Sequence, residues 1–349
     1  MTNVSSMELM LQKEIDEVVD EVVERENKEA AVEEEVDVEV NEDPENISAI
    51  VFKRRSTRRR LKKKLSQTNE DPLAAIHEDA LTVNVDPLAS YEVALLNDVH
   101  NWLESESPKG LDLKSGRADP AFFTRLLTTY KWLTDQEMNA SCFLLRKRIA
   151  MFPSTYGKHF TIGDCHFTPW FNKSQYDIFI KDKKNFKFVE SLVEYCWGSP
   201  EKYMRPWSSV DQIYLPMNLE NSHWVLCVVQ LQEWRIDVYD CDQALFLKKT
   251  YDALMRPICA MLPYLMKSGL SDVELRRFPN FSLKRFVYNR LPYTTVPKAK
   301  DSGDCGVFVI MYMEYLAASL LDLSNITSDN MPFWRKKWAV RLFHEKCDM

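Results

Sequence analysis

Asp301-Ser302-Gly303-Asp304-Cys305-Gly306-Val307-Phe308-Val309-Ile310 sets one cysteine between a polar, glycine-bearing turn and a run of apolar residues. The apolar run reads as a buried helix, which puts the Cys305 thiol in its first turn. There the unpaired backbone N–H groups and the helix macrodipole favour negative charge on sulfur, the reactive form of a cysteine. Upstream, Ser222-His223-Trp224-Val225-Leu226 reads as a strand carrying a histidine, and Ile236-Asp237-Val238-Tyr239-Asp240 reads as the next strand, closing on a carboxylate. A thiol, an imidazole and a carboxylate are the parts of a cysteine nucleophile with its base and its orienter. Singly, each has an ordinary explanation. Most intracellular cysteines are small buried hydrophobes, a histidine beside a tryptophan is commonly core or surface, and an aspartate closing a strand is commonly a turn former. Together, in the order His-Trp, Asp, Gly-Asp-Cys-Gly, they need several coincidences that the nucleophile reading does not.

Four further stretches extend the pattern. His223 and Asp240 lie 17 positions apart (240 − 223), and Asp211-Gln212-Ile213-Tyr214-Leu215-Pro216-Met217-Asn218 precedes the His-Trp pair with a Pro-x-Asn ending. Trp132-Leu133-Thr134-Asp135 with Met138-Asn139 forms an early tryptophan-bearing helix start, and Asp329-Asn330-Met331 leads into a basic helix through Phe333-Trp334-Arg335. On these motifs the chain from about Tyr91 onward resembles the ubiquitin-like-protein-specific cysteine proteases, which include the SUMO (sentrin) proteases and the adenoviral protease, as a divergent member.

The resemblance implies an α+β, papain-like cysteine protease fold: a mixed central sheet flanked by helices. It implies a thiol isopeptidase that cleaves after the C-terminal Gly-Gly of SUMO or a related ubiquitin-like modifier, and so a partner of that kind. Cys305 would attack, His223 would take its proton, and Asp240 would orient the imidazole. Asp237 is a rival orienter on the same strand; strand side chains alternate faces, so it points away from Asp240, and the family spacing favours Asp240. Trp132 and Trp224 correspond to tryptophans that form a tunnel over the modifier's diglycine tail, passable because glycine lacks a Cβ. Asp135 corresponds to a position that pairs with an arginine of the modifier.

One departure stands out. The family carries a glutamine six positions ahead of the nucleophile, whose amide donates to the oxyanion. Here Val296-Pro297-Lys298-Ala299-Lys300 has alanine at 305 − 6 = 299 and no glutamine. Losing one such donor costs about 10²–10³ in rate. The backbone N–H of Cys305 and the lysines at 298 and 300 are the remaining donors to consider. Ala299 therefore keeps a second function open, a regulator that binds modifiers with poor turnover; the Cys/His/Asp set itself admits a third, an acyltransferase.

Composition narrows the rest. The 349 residues carry a net charge of −7, which gives the molecule no basic field and disfavours nucleic acid as a partner. The sequence shows no run of membrane-spanning length and no signal-peptide pattern. Its eight cysteines lack paired close spacings, so no disulfide framework is expected. Cys165-His166 has no Cys-x-x-Cys partner, so neither a metal site nor a cofactor is expected.

Residues 1–90 read as a disordered tail of dense charge, followed by the protease domain over 91–349. Within the tail, Ile15, Val18, Val19, Val22 and Val23 recur at helical spacing, and Ile47-Ser48-Ala49-Ile50-Val51-Phe52 resembles a SUMO-interacting strand. The cluster Lys53–Lys64 reads as a nuclear import signal. It makes an import receptor a partner and the nucleus, with the cytoplasm, the expected compartment. In the domain, helices are expected over about 91–103, 135–150, 242–267, 305–322 and 332–345. Strands are expected near 212–217, 224–232, 235–240 and 284–290, and Pro257 and Pro263 should kink or break the 242–267 helix.

Overall fold

Strand β5 (His223–Gln230) is apolar in both phases, HWVLCVVQ, because both of its faces are covered. Trp224, Leu226 and Val228 enter one core, while Val225, Cys227 and Val229 enter a second core on the opposite face. A strand buried on both sides loses the alternation of a half-exposed one, and this one sits at the centre of its sheet. We describe the chain from a computed structural model over residues 84–301 and 303–345. The 15–23 and 47–52 segments, the 53–64 cluster and almost all of the 1–90 tail lie outside the described residues.

Five strands make up that sheet, with two on either side of β5. Strand β3 (Phe160–Ile162) pairs parallel with β4 (Gln212–Leu219), β4 and β5 are antiparallel, β5 and β6 (Arg235–Tyr239) are antiparallel, and β6 pairs parallel with β7 (Val287–Arg290). It is therefore the mixed sheet expected. A short hairpin, β1 (Leu111–Leu113) with β2 (Gly116–Ala118), lies apart from it. Helices α1 (Val93–Glu104), α2 (Pro120–Leu127), α3 (Asp135–Met151), α8 (Cys305–Ala317) and α9 (Met331–His344) supply the first core. Helices α4 (Lys173–Phe179), α5 (Glu190–Trp197), α6 (Lys248–Gly269) and α7 (Asp272–Leu275) supply the second. Among the described residues no helix is long and apolar enough to cross a membrane, and the seven described cysteines are buried and free.

Two helices differ from expectation. α6 starts at Lys248 and runs unbroken through Pro257 and Pro263. A proline inside a helix leaves the carbonyl four residues back without its donor. For Pro263 that carbonyl belongs to Cys259, and it accepts the N–H of Phe286 instead, at 3.0 Å. Tertiary structure replaces the lost bond, so the helix continues. α8 stops at Ala317 rather than near 322, because Ser319 turns left-handed (φ 58°) and the Leu320 N–H closes back on the Tyr315 carbonyl at 2.8 Å. At the other end of the domain, contacts begin before Tyr91. The Val85 N–H donates to Thr155 Oγ1 at 2.9 Å, and the Pro87 carbonyl accepts from Lys337 Nζ and Arg341 Nη2.

The loop that precedes α8 is fixed by Arg335 of α9, which is 0% exposed. Its Nε donates to Asp304 Oδ1 at 2.7 Å. Nη1 donates to the Arg125 and Leu126 carbonyls (2.9 and 3.2 Å), and Nη2 to those of Lys131 and Gly303 (2.7 and 3.2 Å). All five guanidinium N–H groups are thereby used. The end of α2, the α2–α3 loop and the turn before Cys305 are held on one side chain. Replacing Arg335 with methionine strands the Asp304 carboxylate and four carbonyls. Urea unfolding should show a loss of about 3–5 kcal/mol; a loss under about 1 kcal/mol, the range of an exposed ion pair, would mean that the loop is held by other contacts.

Candidate functional site

His223, Asp240 and Cys305 are brought together at one end of the sheet. His223 opens β5, and Asp240 directly follows β6. The β5–β6 register pairs Leu226 with Tyr239, which carries both side chains to the same end of the ladder. Cys305 opens α8, the helix that lies across β5, and the Trp224 N–H donates to its Sγ at 3.5 Å. All three are buried, at 3%, 0% and 6% exposed.

The turn that delivers Cys305 has little freedom. Gly303 has φ +100°, and a Cβ there would meet the Tyr130 carbonyl oxygen at 2.0 Å, so the position requires glycine. The Tyr130 N–H donates to Asp304 Oδ1 at 3.1 Å, and Leu133 packs against Gly306 closely enough that a Cβ would stand 3.1 Å from its own. The α2–α3 loop thus lies directly on the cysteine turn.

His223 donates from Nε2 to Asp240 Oδ1 at 2.7 Å, which leaves Nδ1 for the thiol. Burial works against the imidazolium, but hydrogen bonds to Asp240 and Cys305, with the charges of both, outweigh it and lift the His223 pKa to about 9. Asp240 is saturated. Oδ1 also accepts the Asp242 N–H at 2.9 Å, and Oδ2 accepts Arg290 Nε and Nη2 at 2.9 and 2.7 Å. Burial opposes its charge too, yet His223, then Arg290 and the Asp242 N–H, hold its pKa below the ordinary carboxylate range. Arg290 is itself seated over the Tyr251 ring, 4.0 Å from the centroid. The rival, Asp237, is elsewhere: Arg235 Nε and Gln230 Nε2 bind its carboxylate at 2.8 and 3.1 Å.

The other expected residues flank this cluster. Trp224 is 1% exposed and its indole N–H donates to the Leu133 carbonyl at 2.8 Å. Trp132, the neighbour of Leu133, is half-buried against the first core. Asp135 is exposed as the first residue of α3; Thr134, not Asp135, caps that helix, in a capping box with Glu137. Ala299 is buried, and its N–H is taken by the Cys241 carbonyl at 2.8 Å. Both nearby lysines are exposed and lie against other groups. Lys300 Nζ is ion-paired to Asp329 at 2.6 Å, and Lys298 Nζ sits 5.5 Å from the Tyr293 ring centroid.

Arg290 was not anticipated as part of the site. Its only trace in the sequence is a basic residue closing a predicted strand, and nothing local says that this strand lies beside that of Asp240. Arg335 fell within a recognised motif, but its partners lie more than 30 and more than 200 residues away.

Comparison with known proteins gives one family. The model described as the Ulp1 protease family, C-terminal catalytic domain, matches residues 131–347. The chain is 25% identical over 234 residues to ubiquitin-like-specific protease 1A of Arabidopsis thaliana, covering 64% of this chain and 39% of that protein. It is 24% identical over 165 residues to a sentrin-specific protease of Caenorhabditis elegans, covering 46% and 21%. The chain thus spans well under half the length of these relatives. In fold it is similar to the C-terminal Ulp1 protease domain solved in complex with Smt3, the yeast ortholog of SUMO. That similarity has a TM-score of 0.50 and 16% identity, over 76% of this chain and all of the other. It is likewise similar to the Chaetomium thermophilum Ulp1-like SUMO protease catalytic domain, with a TM-score of 0.50 and 15% identity over 75% and 92%.

The electrostatics fix a pH response for any reaction at Cys305. The imidazolium persists until pH passes His223's value of about 9, so reactivity that uses it should fall above that point. In Asp240→Asn the fall should move down toward the ordinary histidine value of 6.5. Arg290→Gln removes a group that holds Asp240 ionised, so its acid limb should move up while the alkaline limb changes less. Rates of alkylation by iodoacetate, an anion that the imidazolium attracts, between pH 4 and 10 read both limbs; identical profiles for wild type and Asp240→Asn would remove the pair from the chemistry.

Proposed function

The chain belongs to the Ulp1 protease family, and on that premise we propose that it is a cysteine peptidase cleaving after the C-terminal Gly-Gly of SUMO or a related ubiquitin-like modifier. The observation that carries the reading is His223 held between the Asp240 carboxylate and the Cys305 thiol. The thiol proton passes to Nδ1, and the sulfur adds to the carbonyl carbon of the second glycine. The imidazolium returns a proton to the leaving amine as the C–N bond breaks, leaving a thioester. Water, activated by His223, then hydrolyses it.

Substrate selection follows from the loop on the cysteine turn. The Trp224 indole is tied to the Leu133 carbonyl, and Trp132 precedes Leu133 in the same loop; this supports reading the two indoles as the walls of the passage to Cys305. A tail without Cβ atoms suits that passage. Asp135 is exposed at the start of α3, where it is free to meet a cation of the modifier.

The oxyanion side is sparse. Ala299 offers no side-chain donor, and the two lysines are engaged with Asp329 and with the Tyr293 ring. The helix start supplies backbone donors, the Cys305 N–H among them. This favours slow turnover, and it is the specific observation behind a second reading: a modifier-binding regulator with weak activity.

Purified protein mixed with vinyl-sulfone forms of SUMO, NEDD8 and ubiquitin, followed by intact mass, distinguishes the two readings. A single adduct with a SUMO-type probe, lost in Cys305→Ser, is expected. An adduct that survives the substitution would remove Cys305 from the mechanism. Where the probe reacts, Ala299→Gln should raise turnover of a SUMO–fluorophore substrate by about 10²-fold, the usual worth of one oxyanion donor. An unchanged rate would show that backbone groups already suffice. Nuclear entry through residues 53–64 is a separate proposal, supported by composition alone; a fluorescent fusion with that cluster changed to alanine should stay in the cytoplasm.

A further inference from the structure

We propose that the free edge of β7, with the cationic groove beside it, binds an extended acidic peptide segment of a partner protein as a sixth strand of the sheet. β7 is last in the strand order. The Val287 N–H donates to the Trp234 carbonyl and the Leu291 N–H to that of Val238. Those two bonds fix the phase of the parallel ladder, so residues 287, 289 and 291 turn their backbone groups toward β6. The N–H and C=O of Tyr288 and Arg290 therefore point out of the sheet, and no backbone partner meets them among the described residues; the Phe286 N–H, in the same phase, is taken by the Cys259 carbonyl of α6, so the open edge begins at Tyr288. An unpaired row of this kind is a template for another strand.

The groove supplies the chemistry of the occupant. A cavity of about 310 Å³ lies between α6 and β7, lined by Lys248, Asp252, Arg256, Arg285, Val287 and Tyr288 among others. Lys248, Asp252 and Arg256 follow one another at four-residue intervals on one stripe of α6. Asp252 is engaged by the Tyr288 hydroxyl. Lys248 and Arg256 are exposed and enter no ion pair among the described residues.

Cations near a sheet edge also serve as guards against unwanted pairing. Such guards stand on the strand itself. Here two of the cations stand on the helix, and the strand presents Val287, 68% exposed, on its opposite face. Side chains of an added strand would alternate between these faces. One phase meets Lys248 and Arg256 and calls for carboxylates; the other lies beside Val287 and calls for β-branched residues. The ligand is a peptide of alternating acidic and β-branched residues.

The edge also reaches the site. The Arg290 backbone carries outward-facing hydrogen-bonding groups, while its guanidinium holds Asp240. Occupancy of the edge and the setting of Asp240 thus meet in one residue. That consequence rests on the peptidase reading; the binding does not.

Fluorescence anisotropy of a labelled octapeptide of alternating glutamate and valine, titrated with the full chain, tests the proposal. Saturable binding is expected, weakened about tenfold or more by Lys248→Glu with Arg256→Glu, two exposed charges reversed at the contact. Both positions are on the surface, and glutamate suits the first turn of α6. N-methylation of the peptide amides in one phase should abolish binding, and in the other phase should leave it. No binding at about 1 mM, beyond which a contact is worth under about 4 kcal/mol, overturns the proposal. So does a response to charge reversal with equal tolerance of both methylation patterns, which would mean charge attraction without strand addition. The vinyl-sulfone reaction run with and without peptide reads the link to Asp240; loss of that reaction altogether would count against the peptidase reading and leave the anisotropy result standing.

Discussion

A single buried guanidinium governs where the nucleophile stands. Burying Arg335 incurs a desolvation penalty of several kcal/mol, offset only if every donor finds an acceptor. Each one does, and the acceptors come from segments far apart in sequence: α2, the α2–α3 loop and the turn at Gly303–Asp304. Because those bonds have fixed directions, they set the turn's position more tightly than apolar packing would. The polar residues before Cys305 thus have a structural reason to be polar, separate from any chemistry of the thiol.

Asp240 shows a second use of the same principle. A carboxylate at 0% exposure would ordinarily take up a proton, and a neutral acid would orient an imidazole poorly. Four hydrogen bonds on its two oxygens prevent that. Arg290 occupies only Oδ2, so Oδ1 remains directed at His223. The guanidinium and the imidazolium share one anion, which keeps the aspartate charged when the histidine is neutral. The result is an orienter whose charge does not depend on the state of the base.

Much of this was legible in the sequence, and the residues show why. Cys305, His223 and Asp240 each fall at a secondary-structure boundary set by local pattern: an apolar helix start and two strand ends. The central strands were recognisable from their apolar runs, and α3 from the Trp132-Leu133-Thr134-Asp135 motif at its start. What escaped depended on tertiary pairing. β3 is three residues long and too short to show a period. The hairpin β1–β2 has the same limitation. Arg290 needed the knowledge that β7 pairs with β6. Trp224 was readable as an aromatic beside the base, but its hydrogen bond to Leu133 belongs to a loop 91 residues away.

One proline of α6 carries this argument to the site. Pro263 withholds an N–H from the Cys259 carbonyl, and a helix interior ordinarily loses about 3 kcal/mol or more for such a residue. Here the freed carbonyl accepts from Phe286, the residue immediately before β7. The helix defect thereby becomes an anchor for a strand that would otherwise be held by β6 alone. β7 then runs on to Arg290, whose guanidinium is steadied by Tyr251 of the same helix. Helix α6 thus fixes the arginine at both ends, through its carbonyl upstream and its aromatic ring downstream, and the arginine fixes Asp240. A feature that reads as a break in the sequence is, in the fold, what allows a distant edge strand to hold the carboxylate behind the histidine.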